Sequence, residues 1–299
     1  MLQLSKQQKQ TKIFFNQFTK KWQKSAKTDS HLTINIIKQR NDYVVNIAQK
    51  FLKNKSKTLD VGCGTGDLAI SLLQKGFDSH GIDFASSMIK KAKLEAHRKK
   101  FSPDRFQLTS IFDYTTDIKY DLISANGFIE YISEKQFIEF IQMSYEMLKD
   151  KGLLVFSSRN RLFNVFSFNE YTLDEIKIKQ LDYLIEECIM FNKAKNLIDL
   201  LKKKHSIRLS QNLKNHGNTG FNIDTRYQYT PFQTIEMLRK HGFKVIDLSP
   251  IHIHVFTTGA RSRLNEIHDQ VSKYVQEKEN AHLPLIPQSS SFSIVARKL

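Results

Sequence analysis

This 299-residue chain has little from which a cross-linked or metal-stapled scaffold can be built. Its two cysteines, Cys63 and Cys188, exclude a disulfide framework, and the absence of a CxxC spacing removes the usual structural zinc patterns. Five prolines and eleven glycines exclude a fibrous or low-complexity chain. No apolar run reaches the ~20 residues a membrane-spanning helix needs. The lysines near the N-terminus are not followed by the apolar core and small-residue cleavage site of a secretory signal. A cytoplasmic location is the expectation from these absences. Acidic residues are also in short supply, 30 against 46 Lys and Arg, for a formal charge of +16.

What is present is a globular composition, 40% hydrophobic and 25% charged, long enough to bury a substantial core as one large domain with elaborations. The charge is uneven: Met1 to Thr58 carry twelve Lys and one Arg against two Asp. Such a field attracts RNA, an acidic protein, an anionic membrane or an acidic substrate, although lysine is abundant throughout the chain.

The pattern that organises the sequence is Thr58-Leu59-Asp60-Val61-Gly62-Cys63-Gly64-Thr65-Gly66. A short apolar run ends in glycines spaced GxGxG and passes into helical periodicity at Leu68, Ala69 and Ile70, which predicts strand, tight turn and helix. Glycine lets the backbone approach a ligand that a Cβ would push away. A second strand, Asp78 to Asp83, ends in a carboxylate able to accept hydrogen bonds from a ribose diol. The dinucleotide spacing GxGxxG fails, because Asp67 stands where its last glycine would be.

These two stretches, LDVGCGTG and GIDFASSMIKKAK (Gly81 to Lys93), resemble the first two motifs of the class I S-adenosylmethionine-dependent methyltransferases, small-molecule type. The resemblance is firm over roughly Asn35 to Arg161 and looser from Asp224 to Leu299. It implies S-adenosyl-L-methionine as cofactor and a doubly wound α/β sheet of seven strands, mostly parallel with the last antiparallel. Cofactor contacts are expected from Arg40, Asp60, Gly62, Gly64, Gly66, Asp83, Phe84, Met88, Ser110, Ile111, Asn126 and Phe128. At the exit of the third strand the family's adenine-binding acid is replaced by Thr109-Ser110-Ile111, which leaves that contact between Ser110 and Asp113. NGFIEYI, Asn126 to Ile132, keeps an acid at Glu130 but has Tyr131 where small-molecule members often carry histidine. It also lacks the paired prolines of enzymes that methylate base amines.

Around this frame the chain divides into a basic cap over residues 1–56 and a methyltransferase domain over 57–299, with a helical insertion at 160–224. Ile13, Phe14, Phe15, Phe18 and Trp22 recur at helical spacing, as a cap over the crevice or as an amphipathic membrane helix. Ser86 and Ser87 are expected to cap the helix after the second strand. Glu134 to Leu148 is predicted as a helix and Leu153 to Ser157 as the fifth strand. The insertion holds helical runs at Leu173 to Ile189 and Ala194 to Leu201, then a basic run from Lys202 to Lys204 with His205 and Arg208. It reads as a substrate lid or an oligomer contact. Lys244 to Leu248 and Ser291 to Arg297 are the last strands, with a helix from Arg261 to Val275 between them.

A sulfonium methyl group is already electrophilic, so a protein needs chiefly to align the acceptor and exclude water. Catalytic candidates are His252, His254, Glu130 and Tyr229. His252 and His254 share one side of an extended segment, as base, substrate contact or two metal ligands. A metal requires at least one further ligand, so none is assigned. His216, before Gly217-Asn218-Thr219-Gly220, is an alternative, and Tyr227 and Tyr229 are expected either at the active-site rim or as core or lid aromatics. The expected reaction is methyl transfer to oxygen or nitrogen of a small molecule. Methylation of RNA or protein and an inactive cofactor-binding scaffold are the alternatives.

Overall fold

The computed structural model describes residues 6–27, 34–203, 207–211, 227–278 and 283–299. Lys204, His205, His216 and Gly217-Asn218-Thr219-Gly220 lie outside the described residues, as do the side chains of Phe18 and Trp22. Seven strands form one sheet: β1 Lys57–Val61, β2 Asp78–Asp83, β3 Phe106–Leu108, β4 Tyr120–Ala125, β5 Leu148–Arg159, β6 Phe243–Ile253 and β7 Ser289–Lys298. Their order across the sheet is β3-β2-β1-β4-β5-β7-β6. The first five run parallel, and β7 lies antiparallel between β5 and β6, as the resemblance implied.

The central strands are buried on both faces, which is why Leu59, Val61, Leu122, Ile123, Leu154 and Val155 read as apolar runs without alternation. Helices cover the sheet: α1 Lys6–Lys27, α2 Ile36–Phe51, α3 Asp67–Gln74, α4 Ser86–Arg98 and α5 Glu134–Met147 precede the insertion. The reversal of strand order between β1 and β4 opens a crevice at the carboxyl ends of these strands, where an open parallel sheet takes its ligand.

Pairing with β4 passes from Leu148 directly to Leu153. Lys149 to Gly152 therefore bulge out, with Lys151 in left-handed conformation at φ 63°, and β5 begins earlier than the apolar run suggests. Ser86 and Ser87 do not cap α4; its N-cap is Ala85, with no side-chain bond. Asn16 of α1 does that work from outside, its Oδ1 accepting from Ser87 N–H at 3.0 Å and from Ser87 Oγ at 2.8 Å. Thr19 Oγ1 adds a 2.7 Å contact to Ser87 Oγ. Donors that α4 cannot satisfy itself thus bind α1 to the sheet domain.

After β5 come α6 Asn164–Ser167, α7 Glu170–Lys177, α8 Leu181–Lys193 and α9 Leu197–Lys203. The long run predicted from Leu173 is two helices, because Lys179 takes a left-handed φ of 58° between them. In α9 the packed face is Leu197, Leu200 and Leu201, and Ile198 points to solvent at 68% exposure. Helix α10, Pro231–Lys240, leads into β6. The predicted helix from Arg261 is likewise two, α11 Thr258–Arg263 and α12 Asn265–Lys278. No helix among the described residues is long and apolar enough to cross a membrane.

Candidate functional site

The turn after β1 is shaped by Gly62, Gly64 and Gly66, with φ of 69°, 53° and 81°, values an L side chain resists. A Cβ at Gly62 would sit 3.2 Å from the Phe128 ring. At Gly66, the N-cap of α3, it would press on Phe106 at 2.9 Å and Ala92 at 3.0 Å. Gly66 therefore lets α3 pack tightly, whereas Gly62, close against Phe128, and Gly64 border the space beside it.

That space is a cleft open to solvent. Gly62, Gly64, Asp83, Phe84, Met88, Ser110, Ile111, Asn126 and Phe128 line it, so nine of the twelve expected cofactor residues converge on one cavity. Phe84 and Phe128 form walls and leave it open. Arg40 and Asp60 line an adjoining recess that shares Gly62, Gly64 and Asn126. Gly66 lines neither.

Asp83 is held rigidly. Gly64 N–H donates to its Oδ2 at 3.0 Å and Ala85 N–H to its Oδ1 at 2.8 Å. Burial pushes its carboxyl up to about 6, against the pull of the backbone N–H groups of Ala85, Gly64 and Phe84. Asp60 accepts from Ser124 Oγ at 2.8 Å. Burial lifts it to about 7, opposed by the Ser124 bond and reinforced by the charges of Asp83 and Asp67. Across the recess Arg40 donates to Ser291 Oγ at 2.7 Å and lies 3.8 Å from Glu130 Oε1. Asn126 Oδ1 is buried without a hydrogen-bond partner while its amide donates to Asn41 Oδ1.

The four catalytic candidates stand elsewhere. Glu130 is buried beside Arg40, and its carbonyl accepts from Tyr227 N–H at 2.8 Å. Tyr229 packs in the core, 5.2 Å from the Phe137 ring, and burial raises its phenol pKa. His252 and His254 are buried together, ring centroids 4.2 Å apart, beside His268. None of the four lines either cleft.

Sequence reading missed Gln8 and Thr11, which reach the large cleft from α1 beside Phe15 of the expected cap; Tyr131 and Ile132 reach it from the segment after β4 expected to border it. The first three fall at i, i+3 and i+7 on one helical face. Following the apolar residues alone led instead toward Ile13, which is 57% exposed.

The buried carboxylates, the unpartnered Asn126 oxygen and the glycine turn suit a ligand that brings hydroxyl donors and positive charge. They do not suit a pyrophosphate. S-adenosylmethionine carries a ribose diol, an ammonium and a sulfonium, and the residues present fit it. The arrangement is that of a class I S-adenosylmethionine-dependent methyltransferase. The chain belongs to the methyltransferase-domain family, whose profile matches residues 36–248.

Among curated proteins it is 29% identical over 211 residues to a ubiquinone biosynthesis O-methyltransferase of Pelagibacter ubique, covering 69% of this chain and 81% of that one. It is 30% identical to the protein so named in Rickettsia typhi, over 44% of this chain and 53% of the relative. Among solved structures, magnesium protoporphyrin IX methyltransferase from Synechocystis PCC 6803 shares the fold with a TM-score of 0.56 and 13% identity, over all of both chains.

Proposed function

We propose that this enzyme methylates oxygen or nitrogen of a small, largely apolar molecule bound beside the cofactor in the cleft that Asp83 and Phe128 line. The observation that carries this reading is the cleft's far wall. Past Asp83 and Phe84 it continues over Phe15, Phe112, Phe128, Tyr131 and Ile132, a surface suited to a ring or an acyl chain rather than a charged polymer. Relatives named for ubiquinone biosynthesis and O-methylation support the acceptor class.

When bound, S-adenosylmethionine supplies a methyl group on positively charged sulfur. Asp83 orients the ribose end, Asp60 and Asn126 face the ammonium, and Arg40 meets the carboxylate. Glu130 acts through Arg40 as a positioning residue. Cap helix α1 and the aromatic wall exclude water, so the main contribution to rate is alignment of the acceptor. The insertion at 160–224 grows from the carboxyl end of β5, where Ser157 Oγ accepts from Gly127 N–H of the cleft at 2.9 Å. We assign it the role of cover over the acceptor end.

The test is transfer of a labelled methyl group to a fractionated extract. Label in small organic-soluble metabolites is expected. Label confined to RNA or protein would overturn the acceptor class. Calorimetry with S-adenosylhomocysteine should show binding by the wild type and its loss in Asp83→Ala; a folded wild type that does not bind would remove the cofactor assignment.

A further inference from the structure

The histidine pair near the end of β6 has a third member that the sequence did not bring to it. Helix α12 packs on β6 and delivers His268 beside His252 and His254. One ring nitrogen from each of the three lies within 4.8 Å of the other two. All three residues are buried, at 3%, 8% and 0% exposure.

Their nitrogens divide into two sets. His252 Nδ1 is 3.0 Å from Ser290 Oγ, and His268 Nε2 is 3.5 Å from Ser272 Oγ. The opposite nitrogens, His252 Nε2 and His268 Nδ1, are buried with no hydrogen-bond partner, as are both nitrogens of His254. Leaving several such groups unmet in a core is costly. Ligating histidines characteristically show this division, one nitrogen toward the ion and the other tethered to a neighbouring polar group.

The backbone is also held in a conformation that needs support. His252 has φ 56°, left-handed in a strand, a state that persists only where surroundings impose it. Gln39 Oε1 accepts from its N–H at 3.0 Å, and His254 N–H is fixed on Gln288 carbonyl at 2.8 Å. Burial, with nearby positive charge from Arg261, lowers the pKa of all three imidazoles, that of His254 to about 3. Arg261 would oppose a cation, but it lies 3.6 Å from Asp269 Oδ1, which offsets its charge.

We propose that His252, His254 and His268 form a binding site for a divalent transition cation of the zinc class, with a fourth position open to water or another small donor. Three imidazoles and no carboxylate favour zinc or cobalt over magnesium or calcium. The site would join β6, α12 and, through Gln39, the helix that carries Arg40.

The test uses the full-length chain stripped with EDTA and titrated with Co2+ alone, then Zn2+ alone. One Co2+ per chain is expected, with the strong visible absorption of a four-coordinate site and displacement by Zn2+. His254→Gln and His268→Asn should abolish the band. Ser290→Ala should weaken binding about tenfold by freeing the His252 ring. A folded wild type with no stoichiometric band, or a folded His268→Asn protein that keeps it, would overturn the site. If the histidine variants do not fold, Co2+ broadening of ring-proton signals in the wild type decides: loss confined to three rings supports the site, and loss spread over all ten histidines refutes it. Binding of S-adenosylhomocysteine, measured on the same samples, is independent of this outcome.

Discussion

Buried carboxylates meet two different fates in this molecule. At the glycine turn, Asp60 and Asp83 are buried among Ser124 and backbone N–H groups, with no ion pair to a described cationic side chain. Both are pushed upward in pKa. Beyond β5, Glu175 is buried just as deeply but accepts two bonds from Arg161, Nε at 2.8 Å and Nη2 at 2.7 Å, and a third from Asn164 at 2.9 Å. Arg161 also donates to the Gln211 carbonyl and so ties the last described residue of the insertion to its start. Glu187 is intermediate, held by Phe232 N–H at the start of α10 and raised by burial to about 7. A buried acid with its own guanidinium is finished structure. One without a cationic partner, at the mouth of a cleft, is held ready for something that arrives.

The contrast is sharpest in what mutation should do. Glu175→Ala leaves Arg161 as an unpaired buried charge and is expected to cost about 3–5 kcal/mol in urea unfolding; a loss below about 1 kcal/mol would mean the insertion does not depend on the pair. Gly66→Ala combines a φ of 81° with a Cβ pressed on Phe106 and should cost roughly 1–3 kcal/mol, while affinity at the folded site changes little.

Asp83→Asn should behave in the opposite sense, folding well and binding S-adenosylmethionine about 10- to 100-fold more weakly in calorimetry, the worth of one or two charge-assisted bonds. The pH dependence has a definite sign. The pKa values of Asp60 and Asp83 are higher in the folded state than in the unfolded chain, so the stability they contribute is present below about pH 4 and fades as pH rises through about 6 to 7. Apoprotein melting temperature should therefore rise on acidification from pH 8 toward 5.5, while cofactor affinity falls, approaching tenfold per pH unit below about 6. Asp83→Asn should flatten that fall, and an unchanged slope would reassign the linkage. The smallest effect is expected of Asn16→Ala, about 1 kcal/mol or less from the lost cap on α4, seen as weaker attachment of α1.

The same contrast explains what was legible in the sequence. Gly62, Gly64, Asp83, Asn126 and Phe128 announce themselves because strand ends and tight turns are local, and an open parallel sheet brings strand ends together. Arg161 with Glu175 gave no signal, since the pairing depends on where α7 folds back. His252 and His254 stood out by alternation, but His268 joins them only through the docking of α12 on β6. The polar face of α1 was passed over because the helix was read by its apolar residues, while the cleft is met by Gln8 and Thr11 as well as Phe15.

One feature of the sheet bears on how the molecule is made. Strand β6 is synthesised before β7, its sole neighbour in the sheet, and β7 also covers β5. Until β7 inserts, the outer edge of β5 and both edges of β6 stay open to intermolecular pairing, and β7 closes two of these. Aggregation of nascent or truncated chains should therefore begin at β5 and β6, and a deletion removing Ser289–Lys298 should precipitate even with the whole glycine-turn half intact.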